Sequence, residues 1–309
     1  MIHKPCAPSE ELLRLRYLNR RMNLEPKDKL HYNHLEKGHE GEKKAGNWLK
    51  TIDRDAIILH DLLLEMNNSI FQIDFLVITW RTIYMFEVKN YDGNFILEEN
   101  RWYILNGKEI KNPLLQLERT ESLLRQLFQS HNWAVPIESY LLFMNPHFML
   151  YQSPPDLPII FPAQHQSFME TLNQPRPPLS PEQTQLAQEL LTLHISSSPY
   201  RIMPEYSWDS LKKGIICPDC DTFVQFHNYN VWCPVCRQRS SLENTVLGSV
   251  KEFQLLFPDK RITTPLIYEW TGIQGDKQRI QRILAKHFNK QKQGRHTYYV
   301  QNKTSIPSL

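Results

Sequence analysis

No stretch of this 309-residue chain approaches the uninterrupted apolar length that a membrane-spanning helix needs, so no membrane association is expected. The first ten residues hold no apolar h-region, and the expectation is therefore no signal peptide. Cysteine is scarce: five residues, with Cys6 alone and the others in two C-x-x-C pairs. An odd count in that pattern fits metal binding in a reducing cytoplasm better than a disulfide framework. A strong net charge is missing too, since the formal value is only +3, which by itself does not suggest a polyanion partner. No internal repeat is visible.

What is there is the balance of a soluble globular protein, 41% hydrophobic and 22% charged, able to bury a core. The length allows one large unit or two to three smaller ones. The small net charge hides an asymmetry. Residues 251–309 carry eleven Lys or Arg against four Asp or Glu, an excess of +7 that leaves −4 for the rest. A basic end on a slightly acidic body is the pattern of a polyanion-binding module.

Residues 10–32 read as an amphipathic helical extension, and a helix is expected over about 38–51 with Glu42 early in it. Residues 56–64 are an apolar run interrupted by His60 and Asp61, and Asn67-Asn68-Ser69 is a turn signal. Residues 71–79 and 82–88 are rich in Ile, Val, Phe and Tyr and suit two strands joined tightly at Trp80-Arg81. Short strands are expected at 95–98, 102–105 and 108–110, a helix from Pro113 to about 130, and a buried strand at 139–144. Residues 153–181 are proline-rich, with a strand at 159–161 and a helix at 164–172, and another helix is expected over 181–196.

The sharpest chemical signal is Asp74, followed by Glu87-Val88-Lys89 on the neighbouring strand. Antiparallel pairing brings the two carboxylates to one end of a sheet, and period-two alternation puts Glu87 and Lys89 on one face with Val88 in the core. Hard carboxylate oxygens suit Mg²⁺ or Mn²⁺, which polarises a phosphoryl group and acidifies its bound water. A lysine there orients the nucleophile or stabilises developing charge, and Glu42 reaches in to complete the metal shell. Any one of these residues alone is an ordinary solvated surface group or half of a salt bridge.

Gly41-Glu42, Phe71-Gln72-Ile73-Asp74, Glu87-Val88-Lys89-Asn90, Gly93 and Asn112-Pro113-Leu114-Leu115-Gln116, in this order, resemble the NERD (nuclease-related) domain, a branch of the PD-(D/E)xK phosphodiesterase superfamily. The resemblance implies an α/β fold with a restriction-endonuclease-like α-β-β-β-α-β core. It implies that Asp74 and Glu87 bind the metal, that Glu42, Asp74, Glu87 and Lys89 form the catalytic set, and that Gln116 joins it. Asp74 follows Ile73 where the superfamily name has a proline, as is usual in this branch.

Cys217-Pro218-Asp219-Cys220 and Cys233-Pro234-Val235-Cys236 each offer two thiolates to one side of a tetrahedral ion. Residues 222–226 and 230–232 read as strands joined at Asn228-Tyr229, making a zinc-ribbon hairpin. Zn²⁺ in such a closed site is structural, and an iron–sulfur cluster, two disulfides or unrelated thiols are the competing readings. Arg237 and Arg239 could touch nucleic acid.

In the basic tail, helices are expected at 249–257, from Thr264-Pro265 to Gly272, and after an N-cap at Asp276, where Ile280, Ile283, Leu284 and Phe288 form the buried face. A β-wing expected at 297–300 completes a winged helix-turn-helix-like module. Arg279, Arg282, Lys286, Lys290, Lys292 and Arg295 are expected to bind nucleic acid, DNA in the first place, with contacts divided between bases and phosphates. The expected domains are 1–34 extension, 35–180 nuclease-like, 181–210 helical linker, 211–245 zinc ribbon and 246–309 basic module. The functional expectation is a metal-dependent nuclease acting on DNA; the alternative is a non-catalytic nucleic-acid-binding adaptor or transcription regulator on a nuclease-like scaffold.

Overall fold

The computed structural model describes residues 2–53, 55–195, 202–217, 219–227, 230–273, 275, 277–294 and 296–301. The chain forms two compact units: Met1–Pro8 with Asn33–Arg201, and Ser9–Tyr32 with Ile202–Leu309. The extension expected over 1–34 is thus divided. Its first residues form β1 (Ile2–Lys4) in the first unit, and α1 (Glu10–Arg21) is an element of the second.

The chain passes between the units within α2 (Pro26–Leu49), a single helix much longer than expected. Pro26 suits a first turn, and Gly38 and Gly41 weaken the helix without breaking it. Glu42 therefore lies at the start of the last third of α2, not early in a new helix. The antiparallel strands β2 (Ile57–Met66), β3 (Ser69–Ile78) and β4 (Ile83–Lys89) follow. Asn67 and Asn68 both take positive φ (48° and 59°), the conformation that two-residue hairpin turns require.

Next come β5 (Gly93–Glu98), β6 (Arg101–Ile104), β7 (Glu109–Ile110) and α3 (Pro113–Ser130). The unit closes with β8 (Ile137–Phe143), β9 (Phe148–Tyr151), β10 (Ile159–Ile160), α4 (His165–Leu172) and α5 (Pro181–Leu193). The main sheet has the order β1-β2-β3-β4-β8-β10, with β4 and β8 parallel, and a smaller sheet runs β7-β6-β5-β9. This mixed α/β arrangement is compatible with a nuclease-like core, and α2, β2–β4, α3 and β8 follow the expected helix–strand order.

Both faces of the main sheet are covered. One core packs Leu114, Leu117 and Leu124 of α3 against the strands; the other packs Ala45 and Leu49 of α2 with Leu172 of α4. Residues 181–193, expected as a linker, instead bury Leu186, Ala187 and Leu190 in the first core, because a helix with an apolar stripe is stable only against a surface that covers it.

The strands of this sheet do not keep a simple alternation. On β2, Ile57 and Leu59 enter the α3-side core, but so do Leu62 and Leu64; on β3, Phe71 and Ile73 do, and so do Leu76 and Ile78. Side-chain parity therefore slips by one in both strands, between residues 59 and 62 and between 73 and 76. The partners stay in register across the slip, His60 opposite Phe75 and Leu62 opposite Ile73. Asp61, at the slip, has φ 52°, which re-aims the strand much as a bulge does.

In the second unit, Leu18 of α1 joins a core with Leu211, Ile215 and the C-terminal elements. These are β11 (Gln225–His227), β12 (Asn230–Trp232) and β13 (Arg239–Ser241) in one antiparallel sheet, then α6 (Leu242–Leu256), α7 (Thr264–Thr271), α8 (Lys277–His287) and the hairpin β14 (Phe288–Gln293) with β15 (His296–Gln301). Helix α6 starts at residue 242 and not 249, because Ser241 caps it by accepting the Asn244 N–H at 3.2 Å. Phe288 opens a strand and does not close α8. The expected N-cap Asp276 and the turn Asn228-Tyr229 lie outside the described residues.

Arg21 organises this unit. It is fully buried and makes two hydrogen bonds of 2.7 Å to the carboxylate of buried Glu252. It also donates to the carbonyls of Lys212 (2.6 Å) and Gly214 (3.0 Å) and lies 3.8 Å from the centroid of the Trp270 ring.

Candidate metal centre and its surroundings

At the end of the β3–β4 ladder Phe75 pairs with Phe86, and the next step outward sets Asp74 against Glu87. There the backbone pairing stops and a side chain takes over: Asp74 Oδ2 accepts the Val88 N–H at 2.7 Å. Glu87 and Lys89 point to the α3 side, while Val88 packs into the α2-side core, as period two requires. Lys89 Nζ donates to Glu87 Oε1 (2.7 Å) and Gln116 Oε1 (3.1 Å), and Gln116 Nε2 donates to the same Glu87 oxygen (2.6 Å). Gln116 reaches this triangle because Asn112 caps α3, accepting the Leu114 N–H at 2.9 Å one turn earlier.

Other residues of the motif have backbone reasons. A Cβ on Gly41 would stand 2.7 Å from the Asn90 Cβ, so only glycine lets α2 approach β4 there. Asn90 then ties the two elements by donating to the Lys37 carbonyl at 2.9 Å. Gly93, with φ 97°, turns the chain out of the motif into β5.

The centre is largely enclosed and rich in negative charge, with Asp74, Lys89 and Gln116 half-buried. Glu87 is only 4% exposed. Burial pushes the Asp74 carboxyl well above its ordinary range; Glu87 and then Glu42 push it further, while Lys89 and the Val88 N–H pull back. Burial alone would lower Lys89, but Glu87 and Asp74 outweigh it and hold the ammonium above its usual value. Carboxylate oxygens crowded round a single ammonium are the donor set that a hard divalent cation neutralises. Asp74 and Glu87 fit that ion.

Glu42 lies close enough to act on Asp74, yet its direct partner is His60, whose Nε2 is 3.0 Å from Glu42 Oε2. His60 is 2% exposed and packs against the Phe75 ring, centroids 4.8 Å apart. Sequence reasoning registered His60 only as an interruption of an apolar run. A histidine where β2 needs a core residue was the signal that could have found it. The Val88 amide carries no sequence signal, since every residue has one.

The four cysteines converge. The sulfurs of Cys217, Cys220, Cys233 and Cys236 lie within 4.8 Å of one another; Cys217–Cys236 is 3.5 Å and Cys220–Cys233 3.2 Å. The two C-x-x-C loops are built alike: Asp221 N–H donates to Cys217 O (3.1 Å) and Arg237 N–H to Cys233 O (3.0 Å), and both donors take positive φ. Hydrogen bonding by the Thr222 hydroxyl and N–H brings the Cys220 thiol down to about 6. Such a cluster can hold a metal such as Zn²⁺. The strands beside it are 225–227 and 230–232, with a third, β13, that was not expected.

Of the tail residues, Arg282, Lys290 and Lys292 are exposed and Arg279 is half-buried. Lys286 is ion-paired to Glu243 at 2.8 Å, and His287 meets the same carboxylate. Arg295 lies outside the described residues. Among the described residues no helix is long and apolar enough to cross a membrane.

The sequence model of the nuclease-related domain family (NERD) matches residues 37–144. That part of the chain is a nuclease-related domain, and it includes Glu42, Asp74, Glu87, Lys89 and Gln116. No curated protein and no solved structure matches the chain.

Proposed function

We propose that this protein is a hydrolase that uses Mg²⁺ or Mn²⁺ to cut phosphodiester bonds in nucleic acid, with DNA as its substrate. The observation that carries this reading is buried Glu87 hydrogen-bonded with half-buried Lys89 and Gln116, with half-buried Asp74 beside them on the neighbouring strand and one ammonium for the two carboxylates. Asp74 and Glu87 would hold the ion, which when bound polarises the phosphoryl group and acidifies a water. The Val88 N–H fixes one Asp74 oxygen and so aims the other. Lys89, kept protonated by its carboxylate neighbours, is placed to orient the attacking water or to stabilise charge on the pentacovalent phosphorus. Gln116 accepts from Lys89 and donates to Glu87, which holds both in one relative orientation.

The second unit supports a nucleic-acid substrate. Three helices, α6, α7 and α8, followed by a hairpin support the winged-helix-like reading, and exposed Arg282, Lys290 and Lys292 suit phosphate contacts. Lys286 would exchange Glu243 for a phosphate. The four-cysteine cluster staples the small sheet that leads into α6.

The test is cleavage of single-stranded, duplex and branched DNA, and of RNA, with Mg²⁺ or Mn²⁺. Wild-type protein should cut and Lys89→Ala should not, while both bind the substrate equally. Protein that binds DNA and never cuts under either metal would be an adaptor on a nuclease-like scaffold, and the proposal would fail.

A further inference from the structure

A second group of metal-binding side chains lies in the first unit, on the Glu42 side of the nuclease centre. Cys6 follows β1, Glu42 is on α2 and His60 is on β2, and their ligand atoms all lie within 4.8 Å of one another. We propose that Cys6, Glu42 and His60 form a binding site for a divalent transition metal, Zn²⁺ in the first place, distinct from the Asp74–Glu87 centre and from the four-cysteine cluster.

Three features carry this. The donors are of three chemical kinds, brought together from three separate elements, and thiolate with imidazole selects against Mg²⁺ and Ca²⁺, which take oxygen ligands. His60 follows the buried Ile57, Ile58 and Leu59 on β2, is itself 2% exposed, and has its Nε2 3.0 Å from Glu42. Cys6 packs directly on α2 one turn beyond Glu42, its Cβ 3.6 Å from where a Cβ on Gly46 would stand. Cys6 and Glu42 are half-buried, so the set is open to solvent. Three protein ligands and one open position is the plan of a reactive zinc site, whereas four thiolates are the plan of a structural one.

On binding, the Cys6 thiol gives its proton to solvent as the sulfur–metal bond forms. His60 would bind through Nε2 as the tautomer that carries its proton on Nδ1, so its hydrogen bond to Glu42 is replaced by shared coordination. Glu42 is the one residue this site has in common with the surroundings of Asp74. Metal binding is read without any cleavage, so failure of this proposal and failure of the nuclease reading are separate results.

The experiment is metal counting on full-length protein equilibrated with Zn²⁺ in excess Mg²⁺ and freed of unbound ion. Wild type should retain two zinc ions per chain, and Cys6→Ser, which changes one atom, should retain one, as should Glu42→Gln. A Cys217→Ser/Cys233→Ser variant should keep a single ion, and X-ray absorption should give it a mixed sulfur, nitrogen and oxygen shell. One zinc per wild-type chain, two in Cys6→Ser, or a shell without sulfur in the double variant would each overturn the proposal.

Discussion

Each unit of this protein buries charge, and the two do so in opposite ways. In the second unit Arg21 and Glu252 neutralise one another, and the remaining guanidinium N–H groups reach the carbonyls of Lys212 and Gly214. In the first unit Asp74 and Glu87 face a single ammonium, Lys89, and burial together with Glu87 and Glu42 pushes the Asp74 carboxyl well above its ordinary range. A balanced buried pair has settled its electrostatics within the chain and serves the fold. An unbalanced one is destabilising as it stands, and the proposed cation would relieve it. That contrast, more than burial or strong hydrogen bonding, which both clusters share, separates the site from the staple.

The comparison can be broken by substitution. The largest effect is expected for Asp74→Ala or Lys89→Ala: loss of metal-dependent cleavage by about 10³-fold or more in protein that still folds, because the proposed reaction runs through both side chains. Cleavage within tenfold of wild type would put the chemistry elsewhere.

For Arg21→Ala the order is reversed. Stability of the second unit should fall by about 3–5 kcal/mol, because Glu252 is left buried without a partner. Denaturant unfolding checks this, and Arg21→Met with Glu252→Leu should recover most of the loss. A single variant as stable as wild type would show the pair to be ornamental.

A smaller effect of opposite sign is expected at Asp74 without Mg²⁺. Its folded-state proton affinity exceeds that of the unfolded chain, so this stabilisation is complete in acid and is lost as pH rises through the raised value. Asp74→Asn removes that loss and should melt higher than wild type at pH 7, by roughly 2–4 °C for each kcal/mol gained. A lower melting temperature in calorimetry would contradict the charge imbalance.

The mildest substitution is Gln116→Ala, which leaves both ligands and the lysine in place and should slow cleavage by about tenfold through lost orientation. An unchanged rate would remove Gln116 from the site.

Much of the first unit was legible because its signals are local. Pro113 after Asn112 announces a capped helix, and Val88 between Glu87 and Lys89 announces a strand with one polar face. The C-x-x-C spacing announced its cluster for the same reason. What was misread depended on distant partners. Residues 181–193 read as a linker because nothing local says that the sheet has a bare face for Leu186 and Leu190 to cover. Arg21 read as one charge among many in an amphipathic helix, since Glu252 lies 231 residues away.

By itself the sequence determined the kinds of chemistry present: carboxylates, a lysine and thiols in spacings that short-range geometry converts into faces and loops. Only the tertiary structure decided how those groups are charged and which stand together. The parity slip at Asp61 and Asp74, the meeting of Glu42 with His60 and Cys6, and the surplus of negative charge around Lys89 all arise from packing between elements far apart in the chain. Periodicity is a property of neighbours along the backbone. Burial, which sets the cost of a charge, is a property of neighbours in space.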